Sequence, residues 1–548
     1  MLETGHTFTA LSEEFVECAM RHDPVYATGA GIHDYDDRLP DHTPEGFATR
    51  AAWLRDLEQR LQASVVWEDL PPAQRVDYAL LRSRIAVQRA ELEEIRRPAH
   101  DPVMYPETAL RGVFYLVARP FAPLEERKEL VIARLMAIPE YLDAARLNLE
   151  RVPAERLRLA SEVNGSGPLF VDDVVRSLIA KFPGEAERIE HAGSRGRQGF
   201  VRWQEFLDRD LAHKVGGSVA LGRRWYDVML EREHMLEVDA AALEAFGREA
   251  MARARAALER EAARIDPARD WRTQVAELRT RAPEPRRVRD AYAAAMERAR
   301  AFVGERGLAP LPEGPLEVVD TPVFWRPTLP ATAYLPPAPF DVEPVGTFFV
   351  TPVDLARRPE DQRQQLAAHN LAALPLTAIH VAWPGHHLQL TRALGTGSRL
   401  RRLAAARVFA EGWALYAEGL MLAEGFPVED GTRLWAALNE LCSAGALVAD
   451  VLLHTGAIAF GEAIDFLVNE AAVERVSAEA EIGRQAQHPT QAIAGTVGRH
   501  AIESLRDEAR QRLGAAFDLG AFHAALLGSG TVQPALLREE LMPALGLS

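Results

Sequence analysis

His380 and His386 stand six residues apart in the run His380-Val-Ala-Trp-Pro-Gly-His386-His387, and Glu411 and Glu418 follow seven apart in Glu411-Gly-Trp-Ala-Leu-Tyr-Ala-Glu418. Two imidazoles from one helical stretch, joined by a carboxylate from a later helix, form a donor set that suits a divalent metal. The usual histidine spacing of four puts both rings on one helix face. Here the gap is six with Pro384-Gly385 inside it, so a local break or bulge must return the second imidazole to register. Glu411 and Glu418 lie about 20° apart around a helix axis and point the same way. One can ligate while the other orients a histidine. Each residue alone has a plainer reading, as a hydrogen-bonded core histidine or a solvated glutamate. Together, inside an uncharged stretch interrupted by Pro-Gly, they are expected to converge.

That stretch runs from Ala367 to Thr391 and carries no Asp, Glu, Lys or Arg over 25 residues. It is long enough for a membrane span, but His369, Asn370, His380, His386, His387, Gln389 and two prolines are too costly in lipid, so a buried site is the better reading. Around it the chain reads as helices. Residues 1–306 form an N-terminal helical region, typified by Val238 to Ile265, where Ala, Leu, Glu and Arg dominate and apolar residues recur at three and four. Between Gly307 and Asp354 the composition shifts, with eleven of the 35 prolines and the β-prone runs Leu316 to Val319 and Thr347 to Thr351. Residues 307–357 are therefore expected to be extended, with a small sheet or hairpin, and residues 358–548 to be helical again. The expected fold is mainly α with a small β element. Helices on both sides of the Pro-rich segment should enclose one deep cleft that this segment lines, in one integrated fold.

The 548 residues are 48% hydrophobic and 26% charged, which excludes disorder and fibrous folds. A net charge of −16 opposes binding to nucleic acid or to an anionic membrane and favours small-molecule or short peptide-like substrates. Cys18 and Cys442 follow no metal or redox spacing, and the N-terminal MLETGHTFTALSEEF lacks the basic and then apolar regions of a signal peptide. Both features lead to the expectation of a cytoplasmic protein.

The histidine run resembles the H-E-x-x-P-G-H-H motif of the bacterial family catalogued as domain of unknown function 885, and Phe409 to Glu418 is similar to its second signature. The resemblance continues through HDPVYATGAGIHDYDDRLPDHT near the N-terminus, Arg134 to Leu149, the YLPP and VGTFFVTP runs, Asp450 to His454 and Pro489 to Gly498, and so covers nearly the whole chain. It implies a large, helical, zincin-like metallopeptidase fold, distantly similar to thimet oligopeptidase and carboxypeptidase Taq. It also implies His380 and His386 as paired ligands and Glu411 as the third, with one divalent metal, zinc by default. Without a base, the same ligand set describes non-haem iron enzymes, so iron is the second choice. Asp450 and His454, four apart on one helix face, are placed near the metal as acid-base or supporting groups. Glu418 and His387 are further catalytic candidates, and Arg499, able to clamp a carboxylate, and Tyr334 are substrate-binding candidates.

The sequence departs from the family where its chemistry is concentrated. The glutamate expected after the first histidine is Val381, tyrosines expected further on are Gln485 and Gly495, and an arginine expected before Asp450 is Ala446. In a zincin the missing glutamate is the general base, and valine accepts no proton. The expectation is a divergent metal-dependent hydrolase or lyase acting on a small or modified substrate. The alternatives are a silent binding protein, or a zinc peptidase with a substitute base such as Glu418. Loss of a base alone lowers rates by about 100-fold to 10,000-fold. Little or no turnover of generic peptides is therefore expected, and Val381→Glu alone should not restore it. A peptide library assayed with metal supplied checks this, and wild-type cleavage at about 1 per second or faster refutes it.

Overall fold

Acids and hydroxyls at helix starts set much of the local structure. Asp23 accepts the amide of Tyr26, Thr43 that of Gly46, Asp239 that of Ala242 and Asp270 that of Thr273, each satisfying an amide that the first helical turn leaves unpaired. The computed structural model describes residues 2–547 apart from 323, 324, 327, 328 and 330. These residues are mainly α-helical with one small sheet, and they form two units.

The first unit comprises Met1–Leu221 with Val323–Thr328 and Ala338–Val342. Its helices Leu124–Ala145 and Ala154–Lys181 both pack on Ala186–Arg209. The approach is close enough that a Cβ on Gly167 would meet the Phe200 ring at 2.6 Å. The family-like runs meet in this unit at a buried polar node. Arg134, fully buried, donates to Gly112 O at 2.6 Å and to Thr28 Oγ1 at 2.6 Å, and Thr28 donates to Asp36. Burial lowers the Arg134 pKa to about 10 against the opposing charges of Asp36 and Asp23. The guanidinium is charged and hydrogen-bonded, which is the condition under which a buried cation is tolerated.

The second unit comprises Gly222–Pro322, Leu329–Pro337 and Glu343–Ser548. A boundary between the units falls after Leu221, inside the N-terminal helical region 1–306. Helix Ala240–Ile265 buries Leu243, Met251, Ala254 and Leu258 at helical spacing, and it packs on Asp430–Thr455 of the C-terminal region. Helical composition is alike on both sides of Leu221, so no shift in the sequence marks that boundary. Asp430–Thr455 is long and apolar enough to cross a membrane, but 72% of its apolar window is buried, as in the core helix of a globular protein.

The Pro-rich segment forms the expected small sheet. Strands β1 (Leu316–Asp320), β2 (Thr332–Leu335) and β3 (Gly346–Val350) run in the order β1-β3-β2, with β1 parallel and β2 antiparallel to β3. Tyr334 pairs with Phe348 in this register.

Helix Arg407–Ala423, which carries Glu411 and Glu418, crosses Ala494–Leu513 with the two backbones almost touching. A Cβ on Gly498 would lie 1.7 Å from Val408 O, and one on Gly412 would lie 2.3 Å from the Gly498 carbonyl carbon. Only glycine allows this crossing, because the obstruction is backbone and has no rotamer to change. Gly498→Ala is expected to destabilise the second unit by about 3 kcal/mol or more, read as a lowered midpoint in thermal or urea unfolding. Gly397, with nothing within 4 Å of its added Cβ, is the control for an alanine with no clash.

Candidate metal centre

The uncharged stretch is folded into two short helices, Leu374–Val381 and His386–Ala393, with Ala382 to Gly385 as the break between them. The first helix ends and its last turn is capped by the returning chain, Gly385 N donating to Ile379 O at 3.0 Å. A Cβ on Gly385 would lie 1.9 Å from His380 O, so glycine is the residue that fits. Trp413 Nε1 donates to Pro384 O at 2.7 Å and ties the break to the helix bearing Glu411. The six-residue spacing is thereby turned into proximity. The His380 and His386 ring centroids are 4.8 Å apart at 80°.

One ligand atom each from His380, His386 and Glu411 lies within 4.8 Å of the others. Glu411 Oε2 is 3.5 Å from His386 Nε2 and 4.0 Å from His380 Nε2. Three donors held by one ion at about 2.0 to 2.2 Å stand roughly this far apart, so the residues fit a divalent cation after a small contraction. Glu418 completes the arrangement from behind. Its Oε1 lies 2.7 Å from His380 Nδ1, and since a carboxylate only accepts, Nδ1 carries the hydrogen and Nε2 is left facing Glu411. This carboxylate-histidine pairing is the usual support of a metal-binding imidazole. Burial pulls the His380 pKa down, but the Glu418 hydrogen bond and the charges of Glu418 and Glu411 outweigh it and raise the value. Burial alone would raise that of Glu411. The His386 hydrogen bond, with the charges of His386, His380 and Arg407, brings it down to about 2.

A cavity of about 430 Å³ opens beside this cluster, lined by His380 and Glu411 and by Ser443, Ala446, Gln485 and Gly495 among others, none of them from 307–357. Among the described residues, none of the Pro-rich segment lines this cavity. Ala446, Gln485 and Gly495, three of the positions that depart from the family pattern, all lie on its wall. Val381 ends its helix and is not part of the lining.

The remaining candidates are placed elsewhere. His387 is fully buried and turned toward the sheet, with Nδ1 2.9 Å from Tyr334 Oη and Nε2 3.2 Å from Gly314 O. Burial lowers its pKa to about 4, only partly offset by the Gly314 carbonyl. Tyr334 and His387 therefore pack against one another and not against the cavity. Glu418, buried and bonded to His380, does not line the cavity. Arg499 pairs with Glu440 and with Glu503, lines a separate cavity of about 120 Å³ and is no free clamp. Asp450 and His454 are fully buried one layer behind the wall, where His454 Nε2 donates to Gln485 O at 2.9 Å.

Sequence reading missed Arg407, Glu481 and Arg484, which line the cavity. Helical spacing could have found two of them, since Arg407 is four residues before Glu411 and Glu481 four before Gln485. Gln485 Nε2 donates to Glu481 Oε1 at 2.9 Å and to Ala446 O at 3.1 Å, and Arg484 pairs with Glu481.

The family model of a bacterial protein of unknown function, DUF885, matches residues 24–541. This chain belongs to that family. Among solved structures it is similar to a protein described as a candidate lipoprotein of unknown function from Shewanella oneidensis, with TM-score 0.80 and 22% identity over 97% of this chain and 98% of that one. It is also similar to a candidate lipoprotein from Colwellia psychrerythraea, with TM-score 0.85 and 19% identity over 100% of both chains. No curated protein matches. These neighbours share the fold. The expectation of a cytoplasmic protein is corrected by them, because both are described as candidate lipoproteins. Cysteine usage and a reading of the N-terminal residues are too weak a basis to stand against that.

Asp450 supplies a test of the layer behind the cavity. Its Oδ2 accepts from Tyr226 Oη at 2.7 Å and from Thr490 N at 3.0 Å, the latter aimed by a left-handed φ of 65° at Thr490, while its Oδ1 has no hydrogen-bond partner. Burial raises the Asp450 pKa to about 7, although both of those hydrogen bonds oppose the shift. Between about pH 4 and pH 7 the folded state holds a proton that the unfolded state has lost, so stability falls as pH rises through that window. Asp450→Asn should remove a decline of up to about 1.4 kcal/mol per pH unit, measured as the difference between wild-type and variant unfolding free energies from pH 4 to 8. A pH-independent difference would contradict it.

Proposed function

We propose that this protein is a metal-dependent hydrolase or lyase of a small or modified substrate, related to the zincins in how it holds its metal. His380, His386 and Glu411 would hold one divalent cation, zinc by default, with iron the alternative that two histidines and one carboxylate also admit. The observation that carries the reading is the approach of these three donors to within 4.8 Å, beside a cavity, with Glu418 fixing His380 from behind. A cation there supplies Lewis-acid polarisation of an electrophilic oxygen and activation of water.

The protein's own residues divide the remaining work. Glu418 keeps Nδ1 of His380 protonated and its ring in one orientation. Val381 accepts no proton, and Glu418 does not line the cavity, which leaves Glu481, held in place by the Gln485 amide and by its ion pair with Arg484, as the cavity carboxylate to take one. A positioned acid or base of this type contributes about 100-fold to 10,000-fold. The cavity volume suits a small molecule, and pockets of roughly 300 to 1,000 Å³ enclose such ligands. The lipoprotein description of two neighbours supports a place of work outside the cytoplasm, which cell fractionation tests.

Metal analysis of protein purified without a histidine tag should find one zinc or iron per chain. His380→Ala is expected to lose it, and Glu418→Gln to weaken it about 10-fold to 100-fold. No stoichiometric metal after zinc is supplied would end the enzyme reading and leave a silent binding protein.

A further inference from the structure

Arg407 is the first residue of helix Arg407–Ala423, and Arg407, Glu411 and Leu415, each four apart, line the cavity as one stripe. The neighbouring charges on the wall already have partners. Glu411 faces His380 and His386, and Glu481 pairs with Arg484 and accepts the Gln485 amide. Arg407 makes no ion pair or hydrogen bond among the described residues. Arg484 stands near it, and after burial the Arg407 charge lowers the Arg484 pKa further, against the pull of Glu411. A cation is also the wrong sign for the first turn of a helix, whose amides present positive partial charge. Arg484 is paired with Glu481, so the exposed Arg407 guanidinium, beside a helix start and one turn from Glu411, is the cation of this wall that has no ion-pair or hydrogen-bond partner among the described residues.

We infer that this wall binds an oxyanion carried by the substrate, a carboxylate or a phosphate, with Arg407 as the clamp and Arg484 beside it. The inference deepens the reading of a metal-dependent enzyme by naming the substrate class, and rests on that reading only for what happens at the other end of the substrate. Arg407 and Glu411 are separated by one helical turn, roughly 6 Å along the axis. The anionic group would therefore sit a few bonds from the group that faces His380 and His386. Guanidinium is suited to this task because its planar fork meets two oxygens of a carboxylate or phosphate at once.

The test is calorimetric titration of the full chain with inorganic phosphate and, separately, with succinate, at low ionic strength, in metal-depleted and zinc-loaded forms. One saturable site is expected in both forms. The tighter probe identifies phosphate or carboxylate as the group recognised. Arg407→Ala should weaken it by about tenfold or more, Arg407→Lys should recover part of the loss, and bound zinc per chain should not change in either variant. Equal affinity in wild type and Arg407→Ala overturns the inference, as does the absence of saturable binding of either probe in the millimolar range. Binding that appears only with zinc and ignores Arg407→Ala assigns the anion to the cation and also overturns it. Arg407-dependent binding in a chain that takes up no zinc upholds the anion site and removes the metal centre instead.

Discussion

The hydrogen bond between His380 Nδ1 and Glu418 Oε1 is the constraint on which the candidate site depends. It decides which nitrogen of His380 is free, and therefore which way a lone pair points. Because Glu411 and Glu418 are two turns apart on one helix, a single imidazole is gripped between them, Glu418 on Nδ1 and Glu411 toward Nε2. That grip requires the helix bearing the glutamates to sit at a fixed height and rotation against the helix bearing His380. The rest of the second unit can be understood as what fixes that height.

Glycine supplies two of the necessary contacts. Gly385 lets the chain turn back onto the end of Leu374–Val381, so His386 comes to face Glu411 while His387, one residue on, is turned toward β2 and Tyr334. Gly412 and Gly498 let Arg407–Ala423 lie against Ala494–Leu513 without a side chain between them. The Trp413 hydrogen bond to Pro384 O then links the two arrangements, one residue from Gly412 and one from Gly385. A shift in either crossing would be felt at the donor cluster, since packed interiors transmit displacement and do not absorb it.

Behind the cavity the polar groups are hydrogen-bonded to one another and to backbone. Asp450 and His454 have no exposed surface, and their influence reaches the cavity through Gln485, which His454 holds by its backbone carbonyl and which in turn holds Glu481. Gly495 keeps the opposite wall thin, where an added Cβ would press on Leu415 at 2.7 Å. Arg407 and Arg484 are cations of the cavity wall.

The sequence by itself determined the helical class, the Pro-rich sheet, the family, and the set His380, His386, Glu411 and Glu418, because those features are local. They are written in helical periodicity, in proline content and in short runs with fixed spacing. It also showed that residue 381 is a valine, whose side chain takes no proton. The tertiary structure decided which of two adjacent histidines faces the glutamates, because the direction of the chain after Gly385 is set by backbone contact with the preceding helix. It decided that Asp450 and His454 lie behind the wall and that Arg499 is already paired, because burial and ion pairing depend on residues such as Tyr226 and Glu440 that are distant in sequence. It decided, too, that the chain divides at Leu221, where composition does not change. Arg407 was readable in principle from its place four residues before Glu411, but that it makes no ion pair or hydrogen bond among the described residues is a property of its three-dimensional surroundings.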